Sequence, residues 1–286
     1  MKILVIGGSR FVGPILVQLL IDNNHAVTLF NRGKVTKNYP EGVEFIQGDR
    51  DDGFAEVTEH YDTVIDMCAY NGLQTKTALD QLSYDHFIHF GSVASYKKAE
   101  VFPLTEESET GYWPFMGEYS KGKVECEEVL AASDKHYATI RPDYILGPDN
   151  YIARESFIYD RIDSGTPLVL PGNGQAICQF VFATDVAAIL VKIAEGQLTG
   201  AFNCSGDEMI TFKGLVEQMA ALVGKEPIIR YNAATDGEKH NEDEFPFANE
   251  NMISSNQKLK ALGFSFTPLF EGLKKDFEGH YKGLLR

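Results

Sequence analysis

The chain opens with Lys2-Ile3-Leu4-Val5-Ile6-Gly7-Gly8-Ser9-Arg10-Phe11-Val12-Gly13, and this stretch decides the fold. Residues 2–6 are aliphatic or have an aliphatic stem, which is typical of a parallel strand buried on both faces. A glycine-rich turn follows, and apolar residues then recur at helical spacing as far as Leu20. The stretch therefore predicts a strand, a tight turn and a helix. The N–H groups and the dipole at the start of such a helix form a binding site for a pyrophosphate.

The residue types in this turn have physical reasons. Gly7 allows the tight turn, and Gly13 lets the helix pack closely against the strand. Arg10 stands where a middle glycine is usual, so it either shifts the pyrophosphate or contacts a phosphate itself. A turn of this kind can also join a strand to a helix without binding a ligand, so the motifs further along the chain carry weight.

Composition narrows the classes of protein. The chain has 286 residues, 44% of them hydrophobic, which suits one large α/β domain or a domain with a smaller lobe. The formal net charge of −15 argues against nucleic acid or an anionic membrane surface as a partner. No apolar run reaches about 18 residues, so the sequence predicts no membrane span. Composition leaves the oligomeric state open between a monomer and a homodimer.

Cysteine and histidine usage predicts a cytoplasmic protein without a metal. The four cysteines at 68, 126, 178 and 204 lie far apart, as expected for reduced thiols and not for a metal site. The seven histidines show no ligand constellation either. The chain begins with a strand pattern, so the sequence predicts no signal peptide.

Strand and helix patterns alternate through the first half. Strand patterns recur at 26–30, 43–46, 63–66, 87–90 and 138–140, and helical patterns fall near 52–60, 72–83 and 117–133. Such alternation predicts an α/β fold, namely a Rossmann-type doubly wound parallel sheet with helices on both faces. Ligands of this fold bind at the carboxyl ends of the strands.

The pattern changes after Gly147-Pro148. Helical patterns at 151–164, 183–195, 212–223 and 267–283 mix with short strands, and the polar, acidic residues 232–248 predict a mobile loop. We expect a smaller C-terminal α+β lobe that binds substrate. The dinucleotide-binding domain would comprise residues 1–148 with about 177–203, and the lobe about 149–176 with 204–286.

Three residues have the chemistry of hydride transfer at a carbon–oxygen centre. Tyr119 and Lys123 stand four apart on a predicted helix and share one face, where the lysine cation would favour the phenolate form of the tyrosine. Tyr119 could then act as acid and base. Ser92 follows the fifth predicted strand and could hold a substrate oxygen. The alternatives are that Ser92 only caps a turn and that Tyr119 packs in a core.

With these motifs in order, the chain resembles the NAD-dependent epimerase/dehydratase family of extended or atypical short-chain dehydrogenases/reductases. The resemblance implies that Tyr119 is the acid/base, that Lys123 supports it and holds the nicotinamide ribose, and that Ser92 polarises the substrate oxygen. It also implies a set of cofactor-binding residues, which are Gly7, Ser9, Arg10, Phe11, Val12, Gly13, Asn31, Arg32, Asp49, Arg50, Lys123 and Pro142.

The chain departs from the family pattern in ways that bear on the cofactor and the activity. The second strand ends in Asn31-Arg32-Gly33-Lys34, without an acidic residue for a ribose hydroxyl, which favours NADP over NAD. Only about twenty residues separate strands four and five, which looks more like the atypical branch that includes chloroplast stem-loop-binding proteins. The alternative to an enzyme is therefore a catalytically quiet NAD(P)-binding sensor or an RNA-associated homologue.

Residues near the predicted pocket suggest how a small-molecule substrate, with nucleotide sugars as one class, would be held. Trp113 lies in an aromatic stretch just before Tyr119 and could stack on a base or sugar, or belong to the local core. Arg154 could meet a phosphate, and Asp143 and Gln179 could line the same cleft. The sequence thus predicts an NAD(P)-dependent oxidoreductase or epimerase/dehydratase that acts on a hydroxyl or carbonyl carbon.

Overall fold

The computed structural model describes residues 1–35, 39–235 and 241–285, and its centre is a parallel sheet of seven strands. The strands are β1 (Lys2–Ile6), β2 (Ala26–Asn31), β3 (Glu44–Gln47), β4 (His60–Asp66), β5 (Ser83–Phe90), β6 (Tyr137–Pro142) and β10 (Gly200–Cys204). They lie in the order β10-β6-β5-β4-β1-β2-β3, and every neighbouring pair is parallel. The order reverses between β1 and β4, which is where ligands bind in such sheets.

Helices cover both faces of this sheet. On one face α1 (Val12–Asp22) packs against α5 (Ala183–Gly196), and on the other α2 (Gly72–Gln81) packs against α3 (Gly117–Ala131). Apolar side chains of β1 point alternately into the two layers, with Ile3 in the α1 and α5 core and Leu4 in the core on the opposite face. The prediction of a doubly wound parallel α/β fold is confirmed.

The rest of the chain forms a lobe at the carboxyl ends of the strands. It contains a sheet of β7 (Tyr144–Leu146), β9 (Ile177–Phe182) and β11 (Met209–Thr211), and a pair of β8 (Leu168–Pro171) and β12 (Ile229–Asn232). Its helices are α4 (Glu155–Ser164), α6 (Phe212–Val223) and α8 (Leu269–Gly279), whereas α7 (Gln257–Ala261) packs against β10 at the edge of the central sheet. Within the described ranges, none of the helices combines the length and the apolar character that crossing a bilayer requires.

The structure differs from the predicted elements in the segment before β4. The helix predicted near 52–60 is wrong, because only a short 3₁₀ turn forms at Arg50–Asp52 and β4 already begins at His60. Gly53 takes a φ of 97°, a left-handed conformation that ends the turn. The side chains of Phe54 and Val57 then pack in the same hydrophobic core as the apolar side chains of β4.

Two further differences concern the lobe. Strand β9, which we expected in the dinucleotide-binding domain, pairs with β7 and β11, so residues 177–182 lie outside the central sheet, whereas β10 belongs to it and α5 packs against it. Of the predicted loop 232–248, residues 236–240 lie outside the described residues. The part that follows is anchored, since Phe245 and Phe247 are each 1% exposed and pack around Phe212.

Candidate functional site

A cavity of about 910 Å³ lies at the carboxyl ends of the central strands. Its walls come from the turn after β1, the end of β2, the loops after β4, β5 and β6, and the start of α3. The volume falls within the usual range for a cofactor or ligand pocket. The segments that the sequence predicted as the cofactor site therefore line one continuous space with the predicted catalytic segments.

The glycine turn at one end of the cavity is shaped for close approach. Gly7 and Gly8 have φ values of 93° and 72°, which side chains rarely allow. A Cβ at Gly13 would lie 2.4 Å from the Gly8 carbonyl, so only glycine permits α1 to start this close to the turn. No side chain caps the first turn of α1, and Phe11 and Val12 at its start line the cavity. The backbone N–H groups at this helix start fit a diphosphate.

The end of β2 presents a cationic rim. The Asn31 amide donates to the Gly7 carbonyl oxygen at 3.2 Å and accepts from the Gly33 amide at 2.9 Å, so it shapes the turn. The Arg32 side chain is largely exposed, and its nearest anion is Asp49, 3.9 Å away. Arg10 is exposed as well, and it lines the cavity together with Arg32, Lys34 and Asp49.

Arg50 has a different place from the one expected of a cofactor-binding side chain. Its guanidinium makes two hydrogen bonds to the Asp66 carboxylate, of 2.6 and 2.9 Å, and a third to the Gln74 carbonyl oxygen. Arg50 is 8% exposed and Asp66 is 0% exposed. Arg50 reaches the cavity only along its wall, and its charged group is turned inward to hold the loop after β4.

Asp66 is not among the residues predicted from the sequence. Burial opposes its charge, but the adjacent Arg50 guanidinium outweighs that effect and holds the pKa of Asp66 below its ordinary value. An acidic residue that ends a buried apolar strand is the signal that could have revealed it, because such a carboxylate needs a cation nearby.

Tyr119 and Lys123 come together at the start of α3. The Lys123 ammonium is buried and donates to the carbonyl oxygens of Ala69, at 2.9 Å, and Phe90, at 2.7 Å. Its Nζ lies 5.7 Å from the centroid of the Tyr119 ring. Tyr119 is 44% exposed and lines the cavity, so its phenol is open to a ligand and not packed in a core. The two carbonyls fix the cation beside the phenol.

Ser92 combines a capping role with a place in the cavity wall. Its Oγ accepts a hydrogen bond from the Ala94 amide at 3.1 Å, at the start of a 3₁₀ turn. Because that bond uses a lone pair, the Ser92 hydroxyl hydrogen can still be donated to a ligand. Ser95 is buried, and its Oγ lies 2.8 Å from both the Ser92 carbonyl oxygen and a Glu127 carboxylate oxygen.

The residues predicted to bind substrate divide into two pairs. Asp143 and Arg154 line the cavity, and so does the cofactor candidate Pro142. Trp113 and Gln179 do not, because Trp113 is buried in the lobe core and the Gln179 amide bonds the Gly206 carbonyl oxygen and the Ser254 amide. For Trp113 the structure agrees with the alternative of a core residue, and the placement of Gln179 in the cleft is corrected by tertiary packing that the local sequence does not show.

Asp143 is a buried carboxyl at the base of the lobe. Its Oδ2 accepts hydrogen bonds from the hydroxyls of Ser205 and Ser254, the latter at 2.7 Å. Burial raises the pKa of Asp143 to about 7, and the two hydroxyls offset only part of that effect. The group can therefore carry a proton near neutral pH.

Aromatic residues that the sequence did not reveal surround the mouth of the cavity. Tyr70 follows β4, and its ring centroid lies 6.4 Å from that of Tyr119 and 5.3 Å from the Lys123 Nζ. Tyr151 packs edge-on against Phe11. An aromatic residue just past a strand end is the only local signal for Tyr70. Among the described residues, no three His, Cys, Asp or Glu side chains are grouped to hold a metal ion.

Known proteins resemble this chain in sequence and in fold. A chloroplast stem-loop binding protein of 41 kDa from Arabidopsis thaliana is 30% identical over 300 residues, which cover 96% of this chain and 78% of that protein. A 2-alkyl-3-oxoalkanoate reductase from Stenotrophomonas maltophilia is 29% identical over 261 residues, covering 78% of this chain and 76% of that protein. The structure of UDP-glucuronic acid 4-epimerase from Bacillus cereus, in complex with NAD, superimposes with a TM-score of 0.82 at 16% identity, covering 100% of both chains.

The sequence match agrees with the geometry of the site. A model of the NAD dependent epimerase/dehydratase family matches residues 3–82 and 76–205. These residues include the glycine turn, the Ser92 turn, the helix that carries Tyr119 and Lys123, and all seven central strands. With most of the chain matched and a 30% identical relative spanning nearly all of it, the protein belongs to the NAD-dependent epimerase/dehydratase family of enzymes.

Proposed function

We propose that the protein is an NAD(P)-dependent oxidoreductase or epimerase/dehydratase that acts on a hydroxyl or carbonyl carbon of a small molecule. The observation that carries the proposal is the Lys123 ammonium, which two backbone carbonyls hold 5.7 Å from the centroid of the exposed Tyr119 ring. The same cavity reaches from that phenol to the glycine turn. A dinucleotide bound at the turn would supply hydride transfer to or from the substrate carbon.

The roles of the side chains follow from their contacts. Tyr119 exchanges a proton with the substrate oxygen, because its phenol is exposed to the cavity. The Lys123 ammonium lies 5.7 Å from the centroid of the Tyr119 ring, so its charge is placed beside the group that exchanges the proton. Ser92 donates its hydroxyl hydrogen to the same substrate oxygen, since its acceptor side is engaged by the Ala94 amide. The roles of Tyr119 and Ser92 are proposed from their place in the cavity wall.

For the cofactor we propose NADP in preference to NAD. Support comes from the cationic rim of Arg10, Arg32 and Lys34 and from Asn31 at the end of β2, where an NAD site usually has a carboxylate. An arginine fork suits a 2′-phosphate. The Bacillus cereus epimerase is in complex with NAD, so the alternative is NAD.

Titration of the protein with NADPH and with NADH, followed by nicotinamide fluorescence, tests the cofactor. NADPH should bind about tenfold or more tightly than NADH, and Arg32→Ala should remove most of that difference. Equal affinity for the two in the wild type contradicts the preference for NADP. Binding of neither contradicts the proposed function as a whole.

For the substrate we propose the nucleotide-sugar class as the first to examine. The support is a cavity of about 910 Å³ that extends from the glycine turn to Tyr119, together with Arg154 in its wall. The Bacillus cereus protein of similar fold is a UDP-glucuronic acid 4-epimerase. A panel of nucleotide sugars and simple ketones, each incubated with cofactor, identifies the class that is turned over.

The Tyr119→Phe variant tests the chemistry. It should lower turnover about a hundredfold or more and leave cofactor affinity within about twofold, because only the exchangeable proton is lost. Tyr112→Phe is the matched control, since Tyr112 is 50% exposed and lies outside the cavity lining. Equal turnover in the two variants would remove Tyr119 from the mechanism.

An RNA-associated role is the second candidate, and one observation favours it. The Arabidopsis relative of 30% identity is a stem-loop binding protein. The net charge of −15 opposes the role, because nucleic-acid affinity comes mainly from phosphate neutralisation. Retention of a stem-loop RNA at physiological ionic strength, with a steep loss as salt rises, would support this second candidate over the enzyme.

A further inference from the structure

The helix that carries Tyr119 and Lys123 also carries a carboxylate that is almost fully buried, Glu127. Glu127 follows Lys123 by four residues on α3, so the three lie along one side of the helix. The Glu127 carboxylate accepts hydrogen bonds from Arg141 Nε at 3.1 Å to each oxygen, and from Arg141 Nη2. The side chains of both residues are almost fully buried, at 7% exposure for Arg141 and 11% for Glu127.

The same carboxylate reaches the turn that carries Ser92. Ser95 Oγ lies 2.8 Å from Glu127 Oε1 and 2.8 Å from the Ser92 carbonyl oxygen. The neighbouring Tyr96 is tied to the same group of residues, because its hydroxyl accepts from Arg141 Nη1 at 2.8 Å. The Ser92 turn is therefore attached to the buried ion pair at two successive residues.

Arg141 connects the ion pair to the end of β6, which forms part of the cavity wall. It lies in β6 directly before Pro142, which lines the cavity. Its Nη1 also donates to the Glu106 carbonyl oxygen, at 3.3 Å. One carboxylate thus joins the helix of Tyr119 and Lys123, the turn of Ser92 and the end of β6.

We propose that Glu127 is a positioning residue that sets Ser92 relative to Tyr119 by clamping α3, the Ser92 turn and β6 to one another. This rests on the proposed function, since it assigns Glu127 a task in that reaction. Glu127 lies outside the residues that line the cavity. It acts through Ser95, whose Oγ transmits the position of α3 to the Ser92 turn.

Direct replacement of Glu127 does not separate positioning from stability, because it leaves the buried Arg141 charge without its partner and destabilises the whole protein. Ser95→Ala is sharper. It removes the connection between Glu127 and the Ser92 turn and leaves the Glu127–Arg141 pair intact. Ser133→Ala is the matched control, because Ser133 Oγ makes the same kind of bond, to the Leu130 carbonyl oxygen at 2.7 Å, at the far end of α3.

The first measurement needs no substrate. In amide hydrogen exchange, Ser95→Ala should speed exchange in residues 91–96 about fivefold, and Ser133→Ala should not. Unchanged exchange in Ser95→Ala overturns the proposal, whether or not a substrate is known.

The second measurement is turnover and cofactor affinity. Ser95→Ala should lower kcat about tenfold with cofactor affinity and KM within about twofold, because only the alignment of Ser92 with Tyr119 changes. Ser133→Ala should keep the wild-type kcat. Faster exchange with an unchanged kcat, or an equal loss in both variants, overturns the proposal. Lack of turnover in the wild type contradicts the proposed function instead, while the exchange result still decides whether the clamp exists.

Discussion

Replacement of Asp66 by Asn isolates the energetic role of the buried ion pair beside the cavity. The substitution keeps the shape of the side chain and removes its charge, so the Arg50 guanidinium stays buried without an anion. The amide can accept through one oxygen only, which forfeits one of the two hydrogen bonds of 2.6 and 2.9 Å. The Cys68 amide donates to Asp66 Oδ1 as well, so the same carboxylate also anchors the loop after β4.

The expected loss is large compared with the stability of a protein of this size. Leaving one partner of a buried pair unpaired costs about 3–5 kcal/mol, against a total free energy of unfolding of about 5–15 kcal/mol. The burial of both groups, at 8% and 0% exposure, places this pair in that class. The bond from Arg50 to the Gln74 carbonyl oxygen remains and moves the expected value towards the lower end.

Urea unfolding of the wild type and the variant at pH 7 measures the loss. Asp80→Asn is the matched control, because Asp80 pairs with Lys76 at 2.6 Å on the exposed side of α2 and should cost less than about 1 kcal/mol. If Asp66→Asn costs no more than this control, the reasoning about the buried pair is refuted.

Measurements at several pH values show how the contribution of Asp66 to the free energy of unfolding depends on pH. The pKa of Asp66 is lower in the folded protein than in the unfolded chain, so its contribution is present above its ordinary pKa and is lost in acid. The stability gap between the wild type and Asp66→Asn should therefore close as the pH falls.

Three further perturbations test other parts of the structure. Gly13→Ala should abolish saturable cofactor binding and lower the free energy of unfolding by about 2–4 kcal/mol, because the new Cβ would lie 2.4 Å from the Gly8 carbonyl. Nicotinamide fluorescence measures the binding and urea unfolding measures the stability. Wild-type cofactor affinity in the variant would contradict the close packing. Burial raises the pKa of Asp143 to about 7, above its ordinary value of 3.8, so the folded protein holds this proton more tightly than the unfolded chain and loses stability as the pH rises between these two values. Asp143→Asn should therefore flatten the fall in thermal midpoint between about pH 4 and 7, and an unchanged slope would argue against the raised pKa. Phe247→Ala should cost about 3–5 kcal/mol in urea unfolding, whereas the exposed Phe270→Ala should cost less than about 1 kcal/mol; equal values would mean that the segment after residue 240 is not anchored.

The features that the sequence predicted well depend on contacts close along the chain. The run Lys2–Ile6, the glycine turn and α1 follow from residues that are neighbours in sequence, and the left-handed φ of Gly7 follows from the turn itself. Tyr119 and Lys123 meet because a four-residue step on a helix places two side chains on one face. The alternation of strands and helices predicts the parallel sheet because short crossovers have one favoured hand.

The functional environment, by contrast, was decided by contacts between distant segments. Arg50 carries the same charge whether it faces a phosphate or Asp66, and only the packing of β4 beside the preceding turn selected Asp66. The indole ring of Trp113 could stack on a ligand, but in the structure it is buried in the hydrophobic core of the lobe.

Glu127 shows most clearly what the sequence alone determined and what the tertiary structure added. Helical spacing placed it in line with Tyr119 and Lys123, but its charge gained a partner only when β6 brought Arg141 across from another part of the sheet. Local patterns thus determined most of the helices and strands and the parallel character of the central sheet. Burial, which depends on every segment that packs around a side chain, decided which polar groups face the ligand and which hold the scaffold together.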